Sequence, residues 1–238
     1  ALHFLVLEHV DGASLQEIVK KFSPMDPLRA CHYIHQAAIG LDYAHEVAGI
    51  IHRDIKPGNI VVDRFGVVKL LDMGLAKFFR DEGDALTQKF DDNVLGTADY
   101  LAPEQALDSH AVDIRADIYS LGATFYYMLA GKPPFPDGSA AQKLVWHQMK
   151  QPTSLKIIRP EVSDDIVAII EHMMKKLPDE RYSSPAEVAE ALAPLTATPI
   201  PPPPDHEMPT HSLAATTGQA LPAGPNPRAA AARQPGVT

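Results

Sequence analysis

The sequence predicts an α+β fold that is mainly helical and carries a few short strands. Apolar residues recur at helical spacing through most of residues 14–192, which indicates a series of packed helices. Apolar runs typical of strands are short and lie in the first third of the chain, as expected for small β-hairpins. A hydrophobic content of 45% in 238 residues is enough to bury a proper core, so the chain is of the globular class.

The predicted helices begin at capping signals. Ser14 and Glu17 form a capping box at the start of a first helix that ends at Phe22. Asp26, followed by proline, begins a second helix that continues to about His45. Four further helices are predicted, of which the first is apolar on most sides and belongs in the core: Asp113–Ala130, Ser139–Met149, Asp164–Lys176 and Pro185–Leu192, the last capped by Ser184.

Three strands are predicted. Ile60–Val62 and Val67–Leu71 are apolar runs joined by a turn at Arg64–Gly66, which is the pattern of a hairpin. Leu2–Leu7 is a third apolar strand, and it begins almost at the first residue. Because a buried strand needs neighbours in its sheet, we expect the chain to begin in the middle of a fold.

Composition narrows the class of protein. A net charge of -9 argues against a general nucleic-acid binder. The single cysteine, Cys31, cannot form an internal disulfide, which favours a reducing compartment, and its position on an apolar helical face predicts a buried thiol. The sequence contains no signal peptide and no stretch of about 18 apolar residues, so we expect a cytoplasmic chain without a membrane span.

The composition changes near the end of the chain. From Thr196 onward the residues are mainly Pro, Ala, Thr and Gly, including the run Pro201–Pro204. Such a segment buries too little apolar surface to offset its chain entropy. The sequence therefore predicts two parts, a folded domain over residues 1–195 and a disordered tail over residues 196–238.

The segment Ile50–Asp63 carries residue types that suit phosphoryl transfer to an alcohol. Asp54 supplies a carboxylate that can accept the proton of an attacking hydroxyl. Lys56 adds a positive charge that can offset charge on the transferred group, and the amide oxygen of Asn59 is a hard ligand that suits Mg2+. The proline and glycine between them keep the segment irregular, so these side chains can converge on one point.

Three motifs occur in the order typical of one family: H-R-D-x-x-x-x-N at His52–Asn59, D-F-G as Asp72-Met73-Gly74, and A-P-E as Ala102-Pro103-Glu104. On these motifs, Leu2 to about Ala193 resembles the large, C-terminal lobe of a eukaryotic-type serine/threonine protein kinase of the bacterial kind. Lys56, two residues after the Asp of the first motif, is typical of serine/threonine specificity. Met73 replaces the usual Phe and keeps an apolar, adaptable side chain.

The resemblance implies the roles of the site residues. Asp54 would be the catalytic base, and Thr97 in the peptide-docking loop would bond both Asp54 and Lys56. Asn59 and Asp72 would hold Mg2+ on the phosphates of ATP, and Lys56 and Asn59 would also face the nucleotide.

The resemblance also assigns the nucleotide-binding hinge. The backbone of Glu8 to Val10 would bond adenine, and Val61 would pack beneath the base.

Two charged groups are assigned to the scaffold in the same way. Asp117 would accept hydrogen bonds from backbone amides of the loop His52–Asn59, which we call the catalytic loop, and His52 would be a structural residue and not a base. Glu104 and Arg181 are predicted to form a buried ion pair.

Thr87 is the candidate phosphorylation site, because no other Ser or Thr precedes Thr97 in the segment that begins at Asp72. Arg53 lies beside the catalytic Asp and can pair with a phosphate there. A solvated loop threonine without a regulatory role remains the alternative. An activating kinase or a second copy of the chain is the partner that such a phosphorylation implies.

The family's glycine-rich loop and its nucleotide-binding lysine do not occur before Leu2 or elsewhere in the 238 residues. We therefore expect most of the small lobe to be missing, and we expect the isolated chain to bind ATP at most weakly and to be inactive. Two hypotheses follow: a kinase fragment whose parent phosphorylates proteins with ATP and Mg2+, or a catalytically inactive module that docks peptides.

Overall fold

The computed structural model describes residues 8–73, 96–106 and 112–210. The predicted strand Leu2–Leu7 and the candidate phosphorylation site Thr87 lie outside these ranges. In the described part, helices dominate and a small sheet lies near the first two of them. This architecture confirms the predicted α+β class with a mainly helical lobe.

Seven α-helices lie wholly within the described residues. The sequence prediction is confirmed for all but one of them, with boundaries that shift by up to three residues. They are α1 Leu15–Phe22, α2 Pro27–Ala48, α3 Arg115–Ala130, α4 Ala140–Met149, α5 Leu155–Ile158, α6 Asp164–Met173 and α7 Pro185–Leu192. The four-residue α5 was not predicted, because one helical turn carries too little periodicity to be detected.

Side-chain caps explain where the helices begin. Ser14 accepts a hydrogen bond from the Glu17 amide at 3.2 Å, and the Glu17 carboxylate accepts one from the Ser14 amide at 2.9 Å. Asp26 accepts from the Arg29 amide at 2.9 Å at the start of α2. Helix α2 ends at Gly49, whose φ of 62° is the left-handed conformation that glycine adopts at low cost.

The sheet has three antiparallel strands in the order β1 Gly12–Ser14, β2 Ile60–Asp63 and β3 Val68–Leu70. The predicted β2–β3 hairpin is confirmed, with Val61 opposite Lys69. Strand β1 was not predicted, because its glycine and its capping serine are typical of a turn. Gly12 is required there, since a Cβ on it would lie 2.4 Å from the Val62 carbonyl oxygen.

Helix α3 is the centre of the core. Fourteen of its residues, from Ala116 to Leu129, are buried. It packs against α2, α5, α6 and α7, which surround it. The predicted buried thiol of Cys31 on α2 is confirmed, with no exposed surface.

The compact unit continues to Met208, which lies beyond the predicted end of the folded domain at residue 195. Met208 is 7% exposed, and Glu207 forms an ion pair with Arg29 of α2. These few anchoring side chains cannot be recognised from composition, because the segment around them is rich in proline. Residues 211–238 lie outside the described part, so their predicted disorder stays a prediction.

Among the helices that the structure describes, none has the combination of length and apolar character that crossing a bilayer requires.

We expect Gly12→Ala to destabilise the lobe by about 1–3 kcal/mol, because the added methyl group collides with the backbone of β2. Gly40→Ala is the matched control, since its methyl group would meet only the Leu70 side chain, at 3.4 Å, on a helix that favours alanine. Thermal and urea unfolding measure both variants. Equal stability of the two would contradict the packing assigned to Gly12.

Candidate active site

One buried carboxylate anchors the backbone of the catalytic loop. Asp117, in the first turn of α3, is 1% exposed. Its two oxygens accept hydrogen bonds from the amides of His52 at 2.7 Å and Arg53 at 2.8 Å. Burial raises the pKa of the Asp117 carboxyl, and the hydrogen bonds from Arg53 and His52 oppose that shift. The contact implied by the resemblance is confirmed.

His52 connects the catalytic loop to the end of the hairpin. Its Nε2 donates to the carbonyl oxygen of Leu71 at 2.8 Å, which leaves Nδ1 as the acceptor that faces the Asp54 amide. The Leu71 amide donates to the carbonyl oxygen of Asn59 at 2.8 Å. Asp72, the next residue, is thereby held at the same end of the sheet as Asn59.

Four side chains of the predicted site converge. Lys56 Nζ lies 2.8 Å from Asp54 Oδ2 and 3.1 Å from Thr97 Oγ1. The Thr97 hydroxyl in turn donates to Asp54 Oδ1 at 3.3 Å. Asn59 Nδ2 donates to the Asp54 carboxylate at 3.0 Å and to its backbone oxygen at 2.8 Å. Asp54 is therefore oriented by three different side chains and remains 30% exposed.

Two residues in the described part have a positive φ without being glycine, and both belong to this region. Arg53 has a φ of 67° and Asp72 a φ of 59°. Such conformations cost about 1–2 kcal/mol for most residues, although Asp tolerates them better than branched residues do. Backbone strain of this kind clusters at functional sites, where the surrounding contacts hold it in place.

Asn59 and Asp72 suit Mg2+ that is bound together with phosphates. Both hydrogen bonds donated by the Asn59 amide use Nδ2, which leaves its oxygen as the possible metal ligand. Asp72 is exposed, so its carboxylate is accessible. No cluster of three His, Cys, Asp or Glu side chains that could hold a metal occurs in the described residues. A metal here would need phosphate and water ligands, as Mg2+ commonly has.

The residues predicted for the hinge lie next to the sheet. The Glu8 side chain is 70% exposed and pairs with Lys69 on β3 at 2.7 Å. Val10 is half-buried, and Val61 is 7% exposed on the central strand. The Glu8 carboxylate is thus engaged by Lys69, so only its backbone is available for the predicted contact with adenine.

The A-P-E motif and the residue after it are fixed to the core. Arg181, fully buried, donates to both Glu104 oxygens, at 2.6 and 2.8 Å, which confirms the predicted ion pair. Gln105, which sequence reasoning missed, donates to the Arg53 carbonyl oxygen at 2.9 Å and accepts from the Ala102 amide at 3.1 Å. This amide joins the A-P-E segment directly to the catalytic loop.

Sequence reasoning also missed a group of polar side chains that bind Asp99, two residues after Thr97. Lys143 of α4 is 6% exposed and lies 2.6 Å from the Asp99 carboxylate. His147, one turn later on α4, lies 3.1 Å from the Asp99 carbonyl oxygen, to which its Nε2 donates. The Tyr119 hydroxyl then donates to Nδ1 at 2.8 Å. The available signal was the pair of polar residues four apart on α4, which share one helical face.

Comparisons with known proteins agree with this geometry. The family model described as the protein kinase domain matches residues 2–193. The chain belongs to the protein kinase family. The expectation of a kinase-like large lobe is therefore confirmed. Residues of the first and third sequence motifs make the contacts described above.

Curated bacterial kinases are similar to this kinase lobe. The serine/threonine-protein kinase PknB of Mycobacterium tuberculosis is 39% identical over 191 residues, which are 80% of this chain and 30% of that protein. PknB of Mycolicibacterium smegmatis is 38% identical over the same shares. The probable serine/threonine-protein kinase SCO3848 of Streptomyces coelicolor is 37% identical over 188 residues, 79% of this chain and 27% of that protein. The chain thus spans about 30% of the length of these relatives.

We expect Asp117→Ala to lower the unfolding free energy by about 3 kcal/mol or more, because two buried amides lose their acceptor. Asp137→Asn, at an exposed carboxylate, is the control and should change little. Urea unfolding measures the difference. A loss below about 1 kcal/mol in Asp117→Ala would contradict the anchoring role.

The stability of the lobe should fall in acid partly through His147. Burial, aided by the positive charge of Lys176, lowers the pKa of His147 from 6.5 to about 4. Between these values the unfolded chain binds the proton and the folded chain does not, so stability decreases as the pH falls. His147→Gln should reduce this slope by up to about 1.4 kcal/mol per pH unit.

Urea unfolding at several pH values from 6.5 to 4 measures the slope. The matched control is His9→Gln, since His9 is exposed and its replacement should leave the slope unchanged. An unaltered slope in His147→Gln would show that the buried imidazole does not contribute.

Proposed function

We propose that the protein containing this chain transfers the γ-phosphoryl group of ATP to Ser and Thr hydroxyls of proteins. The observation that supports it most directly is the convergence of Lys56 and Thr97 on the Asp54 carboxylate. Membership of the protein kinase family and the names of the similar bacterial kinases agree with this function. The acceptor is a protein side chain, ATP is the donor, and nucleic acid has no role.

Asp54 acts as the base in this proposal. The acceptor oxygen attacks the γ-phosphorus, the bond to the bridging oxygen of ADP breaks, and the hydroxyl proton passes to Asp54. Lys56 offsets negative charge that develops on the transferred group. Thr97 orients both charged side chains, because its hydroxyl bridges them.

Asn59 and Asp72 would hold Mg2+ through one amide oxygen and one carboxylate, and the bound ion would supply positive charge that stabilises the transition state. Asn59 is pre-oriented because its Nδ2 donates twice to Asp54. The backbone of Glu8 and Val10 binds adenine, with Val61 beneath it.

Regulation follows from the charge beside the base. Arg53 pairs with a phosphate on Thr87, which an activating kinase or a second copy of the chain supplies. The site of action is the cytoplasm, where ATP and protein hydroxyls are both available.

The test is transfer of labelled γ-phosphate from ATP to a basic acceptor protein. Because the chain spans about 30% of its relatives, the assay uses the chain joined to its natural flanking sequence. Asp54→Asn should lower the rate at least about a hundredfold through loss of the base, and Asp72→Asn should have a comparable effect through loss of the metal ligand. Asp165→Asn, at an exposed carboxylate on α6, is the control.

Full activity in Asp54→Asn would refute the catalytic assignment. Absence of transfer by the wild-type protein, with acceptor binding retained, would instead support the peptide-docking alternative.

A further inference from the structure

Residues 197–208 continue on the surface of the kinase lobe beyond the last residue matched by the family model, which is 193. We call residues 197–208 the strap. Near its beginning, the Thr198 carbonyl oxygen accepts a hydrogen bond from His32 Nε2 of α2 at 2.9 Å. Ile200, two residues later, packs against the hydrophobic core. The strap is therefore attached to the lobe by polar and apolar contacts from its first residues.

The middle of the strap lies against Gly66 in the turn of the β2–β3 hairpin. A Cβ placed on Gly66 in that turn would lie 3.6 Å from Pro203 Cδ and 4.0 Å from the Pro202 Cα. The Gly66 carbonyl oxygen also accepts a hydrogen bond, at 3.1 Å, from the side-chain amide of Gln36 on α2. The turn thus lies between α2 and a proline segment that is stiff and loses little entropy on docking.

The end of the strap is held by an ion pair. Both Glu207 oxygens face the Arg29 guanidinium, and the Arg29 Nη1 to Glu207 Oε1 distance is 2.8 Å. The Arg29 side chain is 18% exposed and the Glu207 side chain is 8% exposed. Arg29 also donates from Nε to the Tyr33 hydroxyl at 2.8 Å, which fixes its orientation. A planar bidentate pair that is largely excluded from water is strongly directional, and losing one partner is costly.

Apolar contacts surround the pair. The His206 ring meets Phe22, at the end of α1, edge to face at a centroid distance of 5.2 Å. Met208 is buried in the core. The charged and apolar contacts together favour one docked position for the strap.

We propose that the strap is an intramolecular ligand of the kinase lobe, latched by Arg29 and Glu207, that braces the β2–β3 turn. The hairpin begins directly after Asn59 and ends two residues before Asp72, so the brace acts on the element that connects the two candidate metal ligands. The surface that receives the strap is formed by α2, the end of α1 and the hairpin turn. This inference does not depend on phosphoryl transfer.

Hydrogen exchange of the full 238-residue chain, followed by mass spectrometry, tests the proposal. Glu207→Gln removes one charge from the latch, and Asp205→Asn removes the same charge from an exposed neighbour in the same turn. In Glu207→Gln, the amides of Glu207 and Met208 and those of residues 63–67 should exchange at least tenfold faster. In Asp205→Asn they should stay within twofold of the wild type, and α3 should stay protected in both.

Equal exchange in the two variants would overturn the latch. Faster exchange of the strap with an unchanged hairpin turn would overturn the brace. If Glu207→Gln unfolds the lobe, Met208→Ala carries the same test from the apolar side of the strap, with the same expected and contradicting outcomes.

Discussion

The buried carboxylate of Asp117 is the contact on which the candidate site depends. It lies in the first turn of a helix that is buried along almost its whole length, so its position is fixed by the core. Near a helix N-terminus the backbone dipole favours negative charge, and two backbone amides of the catalytic loop donate hydrogen bonds to the carboxylate. The cost of burying a charge is offset by contacts that also shape the loop, including the left-handed Arg53.

The same loop is held from two further directions. The His52 ring binds the backbone just before Asp72, and Gln105 binds the carbonyl group of Arg53. Because Gln105 follows the residue that pairs with Arg181, the loop is connected to the last helices of the lobe. Each connection joins segments far apart in the chain, and together they leave the Asp54 side chain few alternative orientations.

Local signals in the chain were sufficient to predict most helices and the hairpin. Capping boxes such as that of Ser14 act within four residues, so the sequence contains the whole interaction. Strand β1 escaped prediction because its pairing partner, β2, lies almost 50 residues away and its own residues resemble a turn. The docking of the strap was not predicted for a similar reason, since Glu207 pairs with Arg29, 178 residues earlier in the chain.

By itself, the sequence determined the family and the class of fold, and it indicated the residues that we propose for phosphoryl transfer, because the three motifs are short and depend on residue type. The resemblance already assigned Asp117 and Thr97 to hold those residues in place, but only the tertiary structure decided which further groups do so. Lys143 and His147 are ordinary polar helix residues until the fold places both against Asp99. Burial, which excludes water from such pairs and makes their partners obligatory, is a property of the packed lobe and not of any single segment.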